Sequence, residues 1–429
     1  MSPALAAAWR RWGWLAFRIV AVGALAAICL SVFGPIMGDS RRYLRIAANL
    51  VAGHGFSSAR VAPYLPEVFR APLYPLFLAL TTSCGLGIYG TVALQAALYV
   101  GSGVVVGRAA RVIHGDPLAA RLVALLLAIH APIIRWVAQI DTEALMLPLF
   151  CAAAWLLARH LAAPRWGTAL SLGALLGAMF LTRCDYVLPL AVVPLLVACR
   201  QRTRAALRKT AALVLVAGLL AGGWMVRNLL VMPGEMRPLG VGGGLALWVR
   251  SVEIGVEDLG ERELIVQRNP GIRAIHDQSD PKVLGAADRA LAREALGVLA
   301  RNADTWLLGT AYNVLFRNWV EHFDPHVPSA LGWVPVAWSG GLLLLAYIGI
   351  VSLWRRGHGV PQIVLVILAV ASVHASLITE ARYTAPLRPT LLIFSAWSLA
   401  QALRLLLRRL GRRGRWLGRF VEPEPSRDC

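Results

Sequence analysis

An all-α polytopic membrane protein is what this sequence predicts, and three observations carry that reading. Of 429 residues, 58% are hydrophobic and only 15% charged, with a mean hydropathy of +0.62. That is too apolar for a soluble domain, whose surface must be charged. Apolar runs approaching the ~20 residues a helix needs to cross a bilayer recur along the chain. Arginine clusters fall on alternate loops between them, which puts both termini on one side.

The formal net charge is +20. Its arginines gather in short clusters between apolar runs, neither forming one stripe nor interleaving with aromatics, so a membrane surface and not nucleic acid is the partner. The six cysteines, Cys29, Cys84, Cys151, Cys184, Cys199 and Cys429, show no paired spacing, which indicates neither a disulfide framework nor a zinc site. Arg10 and Arg11 precede an apolar run from Trp14 to Met37 that resembles a signal sequence. The run is too long and lacks a small-residue cleavage site before Asp39, so it is expected to remain as the first span.

About ten spans are predicted: Trp14–Met37, Thr91–Arg108, Leu122–Val137, Ala144–His160, Thr168–Thr182, Tyr186–Cys199, Ala211–Val226, Trp333–Trp354, Pro361–Thr379 and Leu387–Leu407. Leu73–Gly87 is read as a short interfacial or re-entrant helix, because counting it as a span would invert every later basic loop. The expected organisation is an N-terminal transmembrane module (1–231) with its first outer loop at 39–90, an extracytoplasmic segment (232–332), C-terminal spans (333–410) and a basic cytoplasmic tail (411–429) lying on anionic lipid. In the outer segment, Asp280-Pro281 starts a helix with Leu284, Ala287, Leu291, Ala295 and Val298 on one face, and Asp288, Arg289, Arg293 and Glu294 on the other.

Candidate chemistry lies at the outer ends of the spans. Asp39 opens the first loop before a helix whose apolar stripe is Tyr43, Ala47, Leu50 and Val51; it either caps that helix or serves as a general base. Arg70, in Arg70-Ala71-Pro72-Leu73-Tyr74-Pro75, either snorkels or clamps a phosphate with its planar donor fork. Asp141-Thr142-Glu143 puts two acids at a span end, where Thr142 as a cap and Glu143 on the helix dipole would be a sufficient structural explanation. Arg183-Cys184-Asp185-Tyr186, Arg227-Asn228 and Glu380-Ala381-Arg382-Tyr383 share the same level. Singly each is an interfacial anchor; together they form a set able to hold an anionic lipid head group beside a base. Weaker signals are His322-Phe323-Asp324-Pro325-His326 as metal ligands, His130 and His374 as packed intraspan histidines, and Gly242-Gly243-Gly244 as a flexible turn.

In order and topology, the first-loop Asp39, then Tyr43, Ala47, Leu50 and Gly53-His54-Gly55-Phe56-Ser57, Arg70-x-Pro72-x-Tyr74-Pro75, Thr142-Glu143, Arg227-Asn228 and Arg382-Tyr383 with Pro386 and Pro389 resemble the polyprenyl-phosphate-dependent GT-C glycosyltransferases. The likeness is to the bacterial branch related to protein mannosyltransferases and lipid A aminoarabinose transferases. One departure is that Asp39 precedes Ser40, where the mannosyltransferases carry Asp-Glu, which brings the sequence nearer the broader bacterial group. The resemblance implies a GT-C helical bundle with interfacial helices in the first outer loop and a small helical outer domain. It implies inverting transfer of a sugar from a polyprenyl-phosphate donor to a lipid, glycan or protein acceptor at the outer face of the cytoplasmic membrane. Asp39 would be the base and Glu143 its assistant, with Arg70, Arg227, Arg382 and Tyr383 on the donor phosphate. Tyr74, Asp141, Arg183 and Glu380 complete the expected substrate-binding set. No nucleotide is needed, and a divalent cation is left open. A transporter or flippase of a lipid-linked precursor is the alternative; it is disfavoured because ionisable residues cluster at one face and not at the midplane.

Overall fold

The computed structural model describes residues 3–256, 264–266, 268–277, 280–320, 329–357, 359–377 and 381–409. Glu380 and the motif His322–His326 lie outside the described residues, as does the basic tail from 410 onward. Among the described residues the structure is helix, turn and loop without a strand. Seven helices among these residues are long and apolar enough to cross a membrane. They lie in α1 (Pro3–Phe33), α4 (Gly87–His114), α7 (Glu143–Ala162), α10 (Arg204–Val231), α15 (Ser329–Leu353), α16 (Val360–Leu377) and α17 (Arg388–Arg409).

The expected span Leu122–Val137 is two helices, α5 (Pro117–Ala128) and α6 (Ala131–Val137), bent by 58°. Pro132 explains the break, since it has no N–H to donate and its ring crowds the preceding turn. The Nδ1 of His130 accepts a long 3.4 Å bond from the Ile133 N–H at the new helix start. Two other expected spans are short helices: α8 (Trp166–Thr182) has 17 residues and α9 (Val187–Arg200) has 14. The segment after Arg70 forms α3 (Leu73–Ser83), only 11 residues long.

Close helix packing uses small residues, as lipid supplies no hydrophobic drive for helices to associate. On α8, a Cβ at Gly173 would lie 2.5 Å from the Leu213 carbonyl oxygen of α10, and one at Gly177 would meet the Leu220 side chain at 2.7 Å. A Cβ at Gly349 of α15 would likewise run into the Phe394 carbonyl of α17.

The two ends of the bundle differ in charge chemistry. At one end Asp116 caps α5 through the amides of Leu118 (2.9 Å) and Ala119 (3.2 Å) and holds Arg404, near the end of α17, at 2.9 Å. There too Lys209 donates to the Pro164 carbonyl at 2.8 Å and Gln201 to that of His160 at 2.7 Å. These contacts gather the loops that carry the basic clusters. The opposite end carries α2 (Ser40–Val51), α3 and the outer segment, built from α11 (Gly243–Gly255), α12 (Pro270–Asp277), α13 (Pro281–Arg301) and α14 (Ala303–Leu315).

Two sequence readings change here. Asp288 does not lie on the solvent face of α13: at positions 284, 288, 291 and 295 the helix repeats one buried stripe, and Asp288 is 1% exposed within it. Its carboxylate accepts from the amides of Gly242 (3.2 Å) and Leu245 (2.9 Å) at the start of α11 and pairs with Arg237. Nor are Gly242–Gly244 a flexible turn. A Cβ at Gly244 would clash with the Asp288 carbonyl, and Gly242 sits at φ +120 with the Phe69 ring 2.8 Å from where its Cβ would be. These glycines let α11 seat directly on the first loop, where Val68 joins Met232, Trp248 and Leu284 in one small core.

Replacing Gly173 by Ala should push α8 off α10 and destabilise the bundle by about 1–3 kcal/mol. A lowered melting temperature of the detergent-purified protein is the measurement, and an unchanged melt would show that the crossing has slack.

Candidate functional site

At the end of the bundle that carries α2 and α3, acids and arginines from distant parts of the chain come together. Asp39 precedes α2 and pairs with Arg70, which stands just before α3. Arg382, from the short 3-10 turn Ala381–Thr384, approaches the other Asp39 oxygen at 4.0 Å and Asp141 at 3.5 Å. Arg183, at the end of α8, holds Glu143 of α7 at 2.6 Å and Asp185 at 2.7 Å. Tyr383 joins the two halves: Arg183 and Arg382 lie 4.5 Å and 4.9 Å from its ring centroid, and Arg382 donates to its hydroxyl at 3.0 Å. Arg70 stacks over Phe69 and Tyr43, with the guanidinium 4.4 Å and 5.1 Å from the ring centroids.

The simple structural explanations for the acids are not what the geometry shows. Asp39 precedes α2 without a side-chain capping bond; its carboxylate is turned to the guanidiniums. Thr142 does not cap α7 either. Its hydroxyl lies between two carboxylates, 3.3 Å from Asp141 and 3.1 Å from Glu143. In α2, the buried face is Arg42, Tyr43, Ile46, Ala47 and Asn49, whereas Val51, expected on the apolar stripe, is exposed.

Other predicted residues lie further out. Tyr74 is fully buried, donating to Gln95 Oε1 at 2.9 Å with its ring edge against Tyr43. Gln95 in turn donates to the carbonyls of Val137 and Gln139, tying α4 to the Asp141 loop. Arg227 lies against Phe56 and Trp224 and donates to the Glu67 carbonyl at 2.6 Å and to Asn228 at 2.9 Å. Those contacts attach it to the backbone of the first loop.

Three participants lie outside the expected catalytic and substrate-binding set. His374 of α16 stacks on Tyr383 at 5.1 Å and brings Nδ1 to 3.6 Å from Asp185. Asp185 looked like one member of an interfacial cluster, yet it is the second carboxylate on Arg183. Glu67 is buried against Arg42, and its only sequence signal was an acid two residues before an aromatic in the same loop as Arg70.

Electrostatics divide the acids. Burial alone would raise the pKa of Asp39, but Arg70, Arg382 and Arg183 outweigh it and hold the carboxyl below its usual range. Asp185 is lowered in the same way, burial being overcome by Arg183 and then His374. Asp141 goes up, to about 8, because burial and the adjacent Glu143 carboxylate prevail over Arg382. One site thus holds an ionised carboxyl and a carboxyl pushed towards its neutral form, both in reach of Arg382. Among the described residues no three His, Cys, Asp or Glu side chains converge to hold a metal ion. Below this level α7, α8, α9 and α16 leave a small apolar gap of about 20 Å³, lined by residues including Phe150, Leu176, Met179, Pro189 and Ile363.

The bundle has the GT-C fold of glycosyltransferases. A family model described as dolichyl-phosphate-mannose-protein mannosyltransferase matches residues 69–224, just over a third of the chain. Two structures of the oligosaccharyltransferase of Archaeoglobus fulgidus superpose on it. The complex of the enzyme, AglB, with an inhibitory peptide and a dolichol-phosphate has a TM-score of 0.51 at 14% identity and covers 96% of this chain and 52% of its own. The apo form has a TM-score of 0.55 at 14% identity, covering 97% and 53%. The chain therefore spans about half the length of these archaeal enzymes. ArnT from Cupriavidus metallidurans bound to undecaprenyl phosphate matches with a TM-score of 0.41 at 16% identity, over 91% of this chain and 78% of its own. No curated protein matches by sequence. The resemblance read from the sequence is borne out by the family match and by the fold.

Thr142→Val should leave Asp141 and Glu143 facing each other without a shared hydroxyl. A loss of about 1–3 kcal/mol in stability is expected, read as a lower melting temperature; an unchanged melt would show that the hydroxyl is not needed there.

Proposed function

We propose that this protein is an inverting glycosyltransferase that moves a sugar from a polyprenyl phosphate to a hydroxyl acceptor at the outer face of the cytoplasmic membrane. Its termini are then cytoplasmic, on the side of the basic loops. The observation that carries the reading is the meeting of Asp39 with Arg70 and Arg382 at one rim of the bundle. A base and phosphate-binding guanidiniums have to be neighbours for this chemistry, because the bond made and the bond broken share one carbon.

In the reaction, Asp39 takes the acceptor's hydroxyl proton while the oxygen attacks the anomeric carbon from the face opposite the phosphate. The bond from that carbon to the phosphate oxygen breaks, its electron pair leaves with the polyprenyl phosphate, and the configuration inverts. Negative charge grows on the departing phosphate, so Arg70, Arg382 and Arg183 would bind the transition state more tightly than the ground state. Glu143, held by Arg183, is oriented to position the acceptor. Arg227 acts on this reading through the loop backbone, and Tyr74 as a wall beneath Arg70.

Arg70 and Arg382 cannot serve Asp39 and a phosphate equally at once. A bound donor would draw them from the carboxylate and strengthen it as a base. In the free enzyme Asp39 is lowered, so activity present at neutral pH is lost only as pH falls through that depressed pKa. With donor bound the pKa is higher and the loss starts sooner. The acid limb of kcat is therefore expected at higher pH than the acid limb of kcat/KM, and coincident limbs would remove the arginine-transfer step.

The direct test is transfer from radiolabelled polyprenyl-phosphate sugar by the purified protein to a membrane extract containing acceptor. Asp39→Asn should lower the rate by about 10²–10⁴-fold; full activity in that variant would take the base role from Asp39. Passage of the donor between liposome leaflets with no new glycosidic bond would favour the transporter instead. Orientation is checked with impermeant thiol reagents on whole cells, which should reach a cysteine placed in the 53–62 loop and not one placed at 202.

A further inference from the structure

We propose that Glu67 is a positioning residue for this reaction, with Arg42 as its partner; the inference deepens the transferase reading and rests on it. Neither side chain reaches the base. What they do is fix the two backbone segments from which Asp39 and Arg70 project.

The geometry is a reversed pair of acid–arginine contacts. Asp39 and Arg42 stand one helical turn apart at the start of α2, and Glu67 and Arg70 stand three residues apart in the loop before α3. Asp39 pairs with Arg70, and Arg42 with Glu67, so two ion pairs of opposite sense bridge the same two segments. The second pair is bidentate: Arg42 Nε lies 2.9 Å from Glu67 Oε2 and Nη2 lies 3.0 Å from Oε1. The Phe69 ring sits between the pairs, its centroid 5.0 Å from the Arg42 guanidinium and 4.4 Å from that of Arg70.

Glu67 adds backbone control. Its Oε1 accepts from the Phe69 amide at 2.7 Å, directly before Arg70, and its carbonyl accepts from Arg227 at 2.6 Å. Arg42 Nη1 donates to the Ile275 carbonyl of α12 at 2.9 Å, which brings the outer segment into the same clamp. The Glu67 side chain has no solvent exposure and the Arg42 side chain 7%. A fully buried ion pair contributes little net stability compared with apolar packing, because desolvating the charges offsets their attraction. What it supplies here is direction: a planar bidentate contact admits one relative orientation of α2 and the Arg70 loop. Reactions of this kind lose about 10²-fold from a displacement of about 1 Å.

The groups facing Asp39 are Arg70 from the loop, Arg382 from the 3-10 turn, Arg183 from the end of α8, and Asp141 and Tyr43. Freeing Arg70 removes the first of these cations from the carboxylate.

The experiment is steady-state kinetics of the full-length protein in nanodiscs with polyprenyl-phosphate sugar, comparing wild type, Glu67→Gln, Glu67→Asp and Arg42→Lys. Glu67→Gln is expected to lower kcat by about 10- to 100-fold with donor KM within about twofold, and to move the acid limb of kcat/KM to higher pH. Glu67→Asp should recover part of the rate. Wild-type kcat and an unmoved acid limb in Glu67→Gln would overturn the proposal, as would an equal fall in all variants that follows their melting temperatures. Should Glu67→Gln fail to fold, Arg42→Lys carries the same comparison. A melting-temperature cycle of Asp39→Asn, Glu67→Gln and the double variant needs no activity: shifts that do not add support the clamp, and additive shifts overturn it. If wild type transfers no sugar from any lipid-phosphate donor, the transferase reading fails by itself while the cycle still decides whether the two pairs are coupled.

Discussion

An ionised carboxylate at the edge of an apolar bundle needs a cation against it, and the end of this protein that carries α2 and α3 is organised around meeting that need several times within one small volume. Asp39, Glu143 and Glu67 each contact an arginine from a distant stretch of chain, and Asp185 shares the neighbouring Arg183 with Glu143. Desolvation makes each unpaired charge expensive, so the pairs hold or break together with the helices that carry them. The packing of α8 on α10 and the docking of α11 on the first loop matter here, because Arg183 follows α8 and Arg70 lies in that loop.

Under the proposed function the arginines would have two anions to serve. A guanidinium that balances a carboxylate in the free protein is the group a phosphate would attract most strongly, since both ligands match its planar fork. On the proposed reading, competition between the two anions would link donor binding to the strength of Asp39 as a base. Tyr383 brings these cations together, with Arg183 and Arg382 both near its ring and His374 stacked on it.

The outer segment is tied to this machinery by backbone contacts more than by charge. Val241 donates to the Val68 carbonyl at 3.0 Å, the Arg42 guanidinium reaches Ile275, and Asp288 fastens the start of α11. Glycines at 240, 242 and 244 make that close approach feasible. The segment thereby packs against the first loop and brings Ile275 to Arg42, one helical turn from Asp39.

The sequence by itself determined the membrane class, the alternation of basic loops and the level at which chemistry should be sought, because hydropathy and charge act locally and additively along the chain. Asp39, Arg70, Asp141, Glu143, Arg183 and Arg382 were all legible as interfacial groups for that reason. Which of them touch was not legible, since Arg183 choosing Glu143 and Asp185, or Arg227 choosing a backbone carbonyl, depends on helix rotation and loop path. Nor could periodicity reveal that Asp288 faces inward or that Glu67 is buried: a charged residue on a buried stripe is stable only when a partner arrives from elsewhere in the chain. Only the tertiary structure supplied those partners, and with them the difference between a set of anchors at one membrane level and a site.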